Sequence, residues 1–185
     1  RSTLFPYTTL FRSIRLTLQQ ESSNVAYIMW FHKYLAERGY CKEDKPKRGM
    51  RIGKGGKVRY LYRLRTYTYK SLGWLYDMFY DGKKKVITEE IKEYINPLSL
   101  SIWIMDDGGR VSAGMKLSTN GFTREEVERL SGILNERYGL DTRLHRDREQ
   151  ALIYVPKGSM GKLAGIVKGY IHPTMKYKLN GHLLF

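Results

Sequence analysis

Cysteine is almost missing from this chain of 185 residues: Cys41 stands alone, which excludes an intrachain disulfide and any cysteine-built zinc site and suits a reducing interior. Histidine is nearly as scarce, and His32, His145, His172 and His182 lie far apart without the spacing of metal ligands. No apolar run approaches the roughly 20 residues that a bilayer-spanning helix needs. A membrane is therefore not an expected partner, and the compartment expected is intracellular, either prokaryotic cytoplasm or an organelle interior. Acid is the remaining shortage: 18 Asp plus Glu oppose 33 Lys plus Arg, leaving a net charge of +15. That excess calls for a polyanion, and with no long basic amphipathic helix in the sequence, nucleic acid is favoured over a lipid surface. What the chain has in quantity is core material, 42% of its residues being hydrophobic, enough for one sizeable core or two small halves sharing one.

Residues 1–13 break the pattern. They carry no acidic group, repeat Thr-Leu-Phe within a few positions, and follow neither a helical nor a strand period. They resemble the translation of a sequencing adapter, so they are set aside as non-native, and the native protein is expected to begin upstream of Ile14.

After Ser13 the chain states one pattern twice. Arg15 to Gln20 and Met115 to Asn120 read as short strands, each followed by a helix whose apolar stripe (Val25, Ile28, Met29, Leu35; Val127, Leu130, Leu134, Tyr138) runs to a glycine, Gly39 or Gly139. Next come strand pairs, Tyr40 to Lys45 with Val58 to Tyr69 and Leu140 to His145 with Ala151 to Val155. A second helix follows in each half, with Ser71 and Ser159 as N-caps. Each half closes on a basic tail, Lys83 to Ile87 and Met175 to Leu179.

Between the halves, Thr88-Glu-Glu-Ile starts a short helix, and Asn96-Pro97 supplies an N-cap and a proline at N1 for the next. That next helix, Leu98-Ser-Leu-Ser-Ile-Trp-Ile-Met-Asp-Asp-Gly-Gly109, is apolar until it ends in two carboxylates and two glycines. A helix C-terminus is already negative, so carboxylates placed there need a cation to offset them, and a divalent metal is the natural one.

The Trp103-Ile-Met-Asp-Asp-Gly108 motif, the duplicated order, Leu117-Ser-Thr-Asn120 and the closing Met175-Lys-Tyr-Lys-Leu179 together resemble the LAGLIDADG homing endonucleases of the single-chain, two-repeat class. The resemblance runs from about Arg15 to Leu179. It implies an α+β fold, a duplicated αββαββα homing-endonuclease fold whose pseudo-two-fold halves carry saddle-shaped antiparallel sheets, with the first motif helix missing. The expected divisions are a non-native segment at 1–13, a first half-repeat at 14–96, a second at 97–180 and a tail at 181–185.

The resemblance also implies a mechanism, in which two motif helices pair at the dyad and each presents its last acidic residue to one scissile phosphate. That residue is Asp107, as catalytic carboxylate and metal ligand; Asp106 falls on the motif's variable position, and Trp103 and Met105 are expected in the core. Mg²⁺ is the expected cofactor, because it prefers oxygen ligands and keeps waters. Family lysines that offset charge on the phosphorane map to Lys178 in the second tail and Lys84 in the first. Ser99 and Ser101 are read as small residues permitting close helix contact.

The partner expected is double-stranded DNA. From residue 42 to 70 there are eleven Lys or Arg against only Glu43 and Asp44. From Val58 the chain alternates, placing Arg59, Arg63 and Arg65 on one face, and a strand pair with such a face fits the major groove. Arg48, Arg51, Lys54 and Lys57 belong to a stretch read as a flexible basic turn, matched in the second half by Arg143, Arg146 and Arg148. The activity expected is metal-dependent, site-specific phosphodiester hydrolysis giving double-strand breaks, by a protein monomeric when both repeats are present. Lacking its first motif, this chain alone is expected to bind without making such breaks. The rival is an intron maturase gripping RNA, or a nucleic-acid-binding protein that has lost cleavage.

Overall fold

In a computed structural model the described residues are 13–147 and 149–182, and they fall into two compact units, Arg1–Asp77 and Met78–Phe185. In the first unit β1 (Thr17–Glu21) leads to α1 (Val25–Ala36), then β2 (Arg48–Ile52) and β3 (Val58–Arg65). The three strands form an antiparallel sheet in the order β1-β3-β2. Next, α2 (Gly73–Phe79) carries the chain into the second unit, where β4 (Tyr80–Asp81) and β5 (Lys84–Lys85) make a small hairpin and α3 (Ile91–Tyr94) forms the connector. Then follow α4 (Pro97–Asp107), β6 (Gly108–Val111), β7 (Gly114–Leu117), α5 (Arg124–Tyr138), β8 (Arg143–Asp147), β9 (Gln150–Val155), α6 (Lys157–Val167) and a closing 3-10 segment, Pro173–Leu179. The second sheet is antiparallel in the order β6-β7-β9-β8.

The duplication holds strand by strand. Strands β1, β2 and β3 pair as β7, β8 and β9 do, with the last strand of each set in the middle. The second unit thus realises the full αββαββα order, whereas the first shows it from its second strand onward among the described residues. The glycine stops are as read: Gly39 at φ 72° and Gly139 at φ 57° occupy the left-handed region that ends a helix cheaply only without a side chain.

Three expectations need correction. Tyr40 to Lys45 is not a strand; the partner of β3 is β2, inside the stretch read as a basic turn, and the turn itself is residues 53–57. Ser71 and Ser159 do not cap helices: Ser71 lies inside the 3-10 turn Lys70–Leu72, and Pro156 is the N-cap of α6, so Ser159 sits within it. The two basic tails differ, since the first folds as the β4–β5 hairpin and the second as a 3-10 helix. Ser99 closes a capping box with Asn96 and donates to the Tyr94 carbonyl at 2.6 Å.

The second unit holds the larger core. Leu100, Ile104 and Met105 of α4, Val127 and Leu134 of α5, and Met160 and Leu163 of α6 are buried with Met115, Leu117, Ile153 and Val155 of the sheet. The first unit's cluster is Ile28, Cys41 and Leu64, with Leu18, Phe31, Leu35 and Tyr62 half-buried against it.

Candidate catalytic carboxylate and nucleic-acid interface

The acidic motif helix is fixed at both ends. At its start, Asn96 and Ser99 exchange the two capping bonds, and α5 clamps the approaching chain: Arg137 and the Tyr138 hydroxyl both donate to the Ile95 carbonyl, at 2.7 and 3.0 Å. At its finish, the Gly108 N–H donates to the Ile104 carbonyl, closing the helix, while the Ser118 N–H donates to the Asp107 carbonyl at 3.2 Å, opening the β6–β7 ladder. Gly108 is extended (φ −72°, ψ 138°), so the helix becomes a strand with no turn between. A Cβ at Gly108 would collide with the Ile104 backbone, which explains the glycine.

Asp107 is exposed at this junction and Asp106 half-buried. One stripe of α4, Ser99, Trp103 and Asp107, lines an open cavity of about 570 Å³ walled by Phe79, Ile87, Ile91, Leu100 and Phe122, with Lys85 and Asn120 on its polar side. Trp103 is thus half-buried at a cavity wall, whereas Met105 is fully buried, as expected, and accepts from the His172 N–H at 3.2 Å.

The two lysines expected beside a phosphate occupy unlike places. Lys84 is exposed on β5. Lys178 is 7% exposed, and its ammonium donates to the carbonyls of Ile104 (3.2 Å), Met105 and Asp106 (3.3 Å). Burial pushes that ammonium below its ordinary pKa, while the carboxylates of Asp106 and Asp107 pull it back up.

On the first sheet, register places Arg51, Arg59, Arg63 and Arg65 on one face and Arg48, Met50, Tyr60 and Tyr62 on the other. Arg48 lies over the Tyr60 ring, 4.6 Å from its centroid, away from the arginine face. Within that face Arg59 is paired with Glu21 at 2.6 Å, and the Gln19 side chain accepts two bonds from Arg63, at 3.1 and 2.7 Å, holding its guanidinium. Lys47, Arg51, Arg63 and Arg65 line a shallow groove on this face. Lys57 is exposed at the hairpin end, and the Lys54 side chain is outside the described set.

On the second sheet one row crosses all four strands: Gly109, Lys116, Tyr154 and Arg143. The bare Gly109 leaves room for the Lys116 stem, which a Cβ there would touch at 3.4 Å. His145, two residues from Arg143, stacks on Tyr154 with centroids 4.4 Å apart. Arg146 shares the opposite face with Leu144, and Arg148 lies outside the described residues. Lys116, His145 and Tyr154 were not singled out by sequence. Lys116, the one polar residue in Gly-Met-Lys-Leu, was the available signal, because alternation turns it away from the buried Met115 and Leu117.

Among the described residues no three His, Cys, Asp or Glu gather as a metal-binding group, and no helix is long and apolar enough to cross a membrane.

Residues 9–163 match the LAGLIDADG DNA endonuclease family. The cytochrome b mRNA maturase bI2 of Debaryomyces hansenii is 36% identical over 174 residues, which take in 93% of this chain and 66% of that protein, so the chain spans about two thirds of that relative. The intron-encoded endonuclease ai4 of Dictyostelium discoideum is 36% identical over 154 residues, 80% of this chain and 97% of that protein. The solved structure of the homing endonuclease I-WcaI bound to its DNA recognition sequence matches at TM-score 0.83 and 28% identity, covering 92% of this chain and 77% of that one.

Proposed function

Because the chain belongs to the LAGLIDADG DNA endonuclease family, we propose that its two sheets grip double-stranded DNA and that Asp107 serves site-specific, metal-dependent hydrolysis of a phosphodiester. The observation that carries this reading is an exposed carboxylate at the end of an otherwise buried or half-buried helix, joined without a loop to a sheet whose polar row holds Lys116 and Arg143.

The residues present fit Mg²⁺. A lone exposed carboxylate, with Asp106 beside it and no enclosing group of ligands among the described residues, suits an ion that binds through one or two carboxylates and completes its octahedron with water and phosphate oxygens. Asp107 would hold it, and when bound Mg²⁺ supplies Lewis-acid charge at the phosphate and acidifies water. The protein's own contribution is placement. The arginine face of the first sheet and the Lys116–Arg143 row of the second bind the backbone and read base edges. Lys84, exposed on its hairpin, is assigned to offset charge developing on the phosphate.

In this reading Asp107 supplies one of the two carboxylates that cleavage of both strands requires. The test adds an acidic motif helix ahead of Ile14 and compares Mg²⁺-dependent cleavage with and without Asp107→Asn. Loss of double-strand cleavage in the variant is expected, and equal cleavage by both removes Asp107 from the chemistry.

A maturase reading is supported by the Debaryomyces relative, a cytochrome b mRNA maturase. Competition between folded intron RNA and duplex DNA separates the two, a strong preference for RNA favouring the maturase.

A further inference from the structure

Helix α4 has a problem at its C-terminus that α5 does not. The last carbonyls of any helix lack intrahelical donors, and a left-handed glycine is the common remedy. Helix α5 uses that remedy, ending at Gly139 with φ 57°, whose carbonyl accepts from Lys162 at 2.9 Å in the open. Helix α4 cannot, because Gly108 is extended and the chain passes directly into β6. Its end is moreover covered: Met105 is fully buried, so its carbonyl has little access to water.

Lys178 supplies what is missing at Met105 and Asp106, and is a second donor to the Ile104 carbonyl that the Gly108 N–H already reaches. The segment that carries it is anchored by buried Met175 and Leu179, and His172 caps its start, accepting from the Thr174 N–H at 3.3 Å. An ammonium has three protons, and the three carbonyls it meets are those of Ile104, Met105 and Asp106, the residues leading to Asp107. None of its protons is left over for a phosphate.

We propose that Lys178 is a positioning residue: an internal cation that caps the motif helix, offsets the negative helix end and its two carboxylates, and fixes the point at which Asp107 leaves the backbone. It acts through Asp107 and does not touch the phosphate. The cation that the acidic helix end calls for is thus built into the chain, before any metal binds. The inference rests on the endonuclease reading only in naming Asp107 as the group positioned.

The test begins with the unmodified chain, labelled with ¹⁵N at lysine and ¹³C at carbonyls. Couplings across hydrogen bonds from Lys178 Nζ to the Ile104, Met105 and Asp106 carbonyls are expected, unchanged when duplex DNA is added. Loss of those couplings on DNA binding, with the Nζ resonance moving to a phosphate-bound position, overturns the proposal. Lys178→Met and Lys178→Arg then read the consequence. In Lys178→Met, Gly108 amide exchange should rise and affinity for Mn²⁺ alone should fall about tenfold, the scale of losing a group that orients a ligand. Lys178→Arg should restore both in part, and metal-free DNA affinity should stay within about twofold in either variant, since no phosphate contact is removed. Unchanged Mn²⁺ affinity and Gly108 exchange with weakened DNA binding would instead place Lys178 on the phosphate. If Asp107→Asn leaves Mn²⁺ affinity and cleavage intact while the couplings persist, the endonuclease reading fails and the cap stands.

Discussion

The two repeats share a strand order but not a means of stability. The second unit packs three helices on its sheet, and its buried side chains extend from Met78 to Leu179; the first rests on the cluster of Ile28, Cys41 and Leu64 with half-buried neighbours. Its β2–β3 hairpin reaches beyond that small core, leaving Met50, Ile52, Val58 and Tyr60 exposed on the face opposite the arginines. One pattern can therefore hold Asp107 on a well-packed mount in one unit and carry a cationic sheet on a small core in the other. The two lysines expected to be equivalent divide in the same way, Lys178 interior and Lys84 exterior.

The strongest attempt to break this contrast is truncation of each core. Leu134→Ala, at a fully buried site, should cost about 3–5 kcal/mol in urea denaturation, and Leu64→Ala about 2. First-sheet amides should also exchange before those of β7 and β9; equal costs and equal exchange would erase the difference between the units.

Gly108→Ala tests the rigidity of the mount. The new methyl meets the Ile104 backbone rather than a flexible side chain, so about 1–3 kcal/mol of stability should be lost together with metal affinity. The same change at Gly132, where a Cβ meets nothing within 4 Å, should be tolerated.

The two sheets can next be compared by salt titration. Removing Arg63, Arg65 or Arg143 should each reduce the log-log slope of DNA binding by about 0.9, whereas Arg48 and Arg146, on the opposite faces, should change it less. Arg59 should fall between them because Glu21 already pairs with it, and Glu21→Gln should strengthen binding.

The smallest effect concerns pH. Burial lowers the pKa of His172 from its ordinary 6.5, and its imidazole must be neutral to accept from Thr174. Unfolded chains then bind the proton more readily than folded ones, so stability should be full above pH 6.5 and decline as pH falls below it. His172→Asn, which can still cap, should flatten that decline.

Sequence revealed the duplicated order because its punctuation is local: Gly39 and Gly139 stop helices, Asn96-Pro97 starts one, and apolar periods mark the rest. It missed β2 because Arg48-Gly-Met-Arg-Ile carries the charge and glycine of a turn, and only pairing with β3 makes it a strand. It saw that an acidic helix end needs a cation but could not find that cation in Lys178, whose three bonds span more than 70 positions. Nor could it separate the faces of Arg48 and Arg51, since register depends on where the turn falls.

The junction at Asp107 and Gly108 leaves no slack between reading and chemistry. Successive residues hand one backbone from the hydrogen-bond ladder of a helix to that of a sheet, so any change in sheet twist on gripping a duplex reaches the carboxylate through a single peptide link. On the function proposed for Asp107, a variant selected for a new sequence through the second sheet is therefore also a variant of the catalytic geometry. Retargeting that tilts β6 or β7 should alter cleavage rate even where affinity is unchanged.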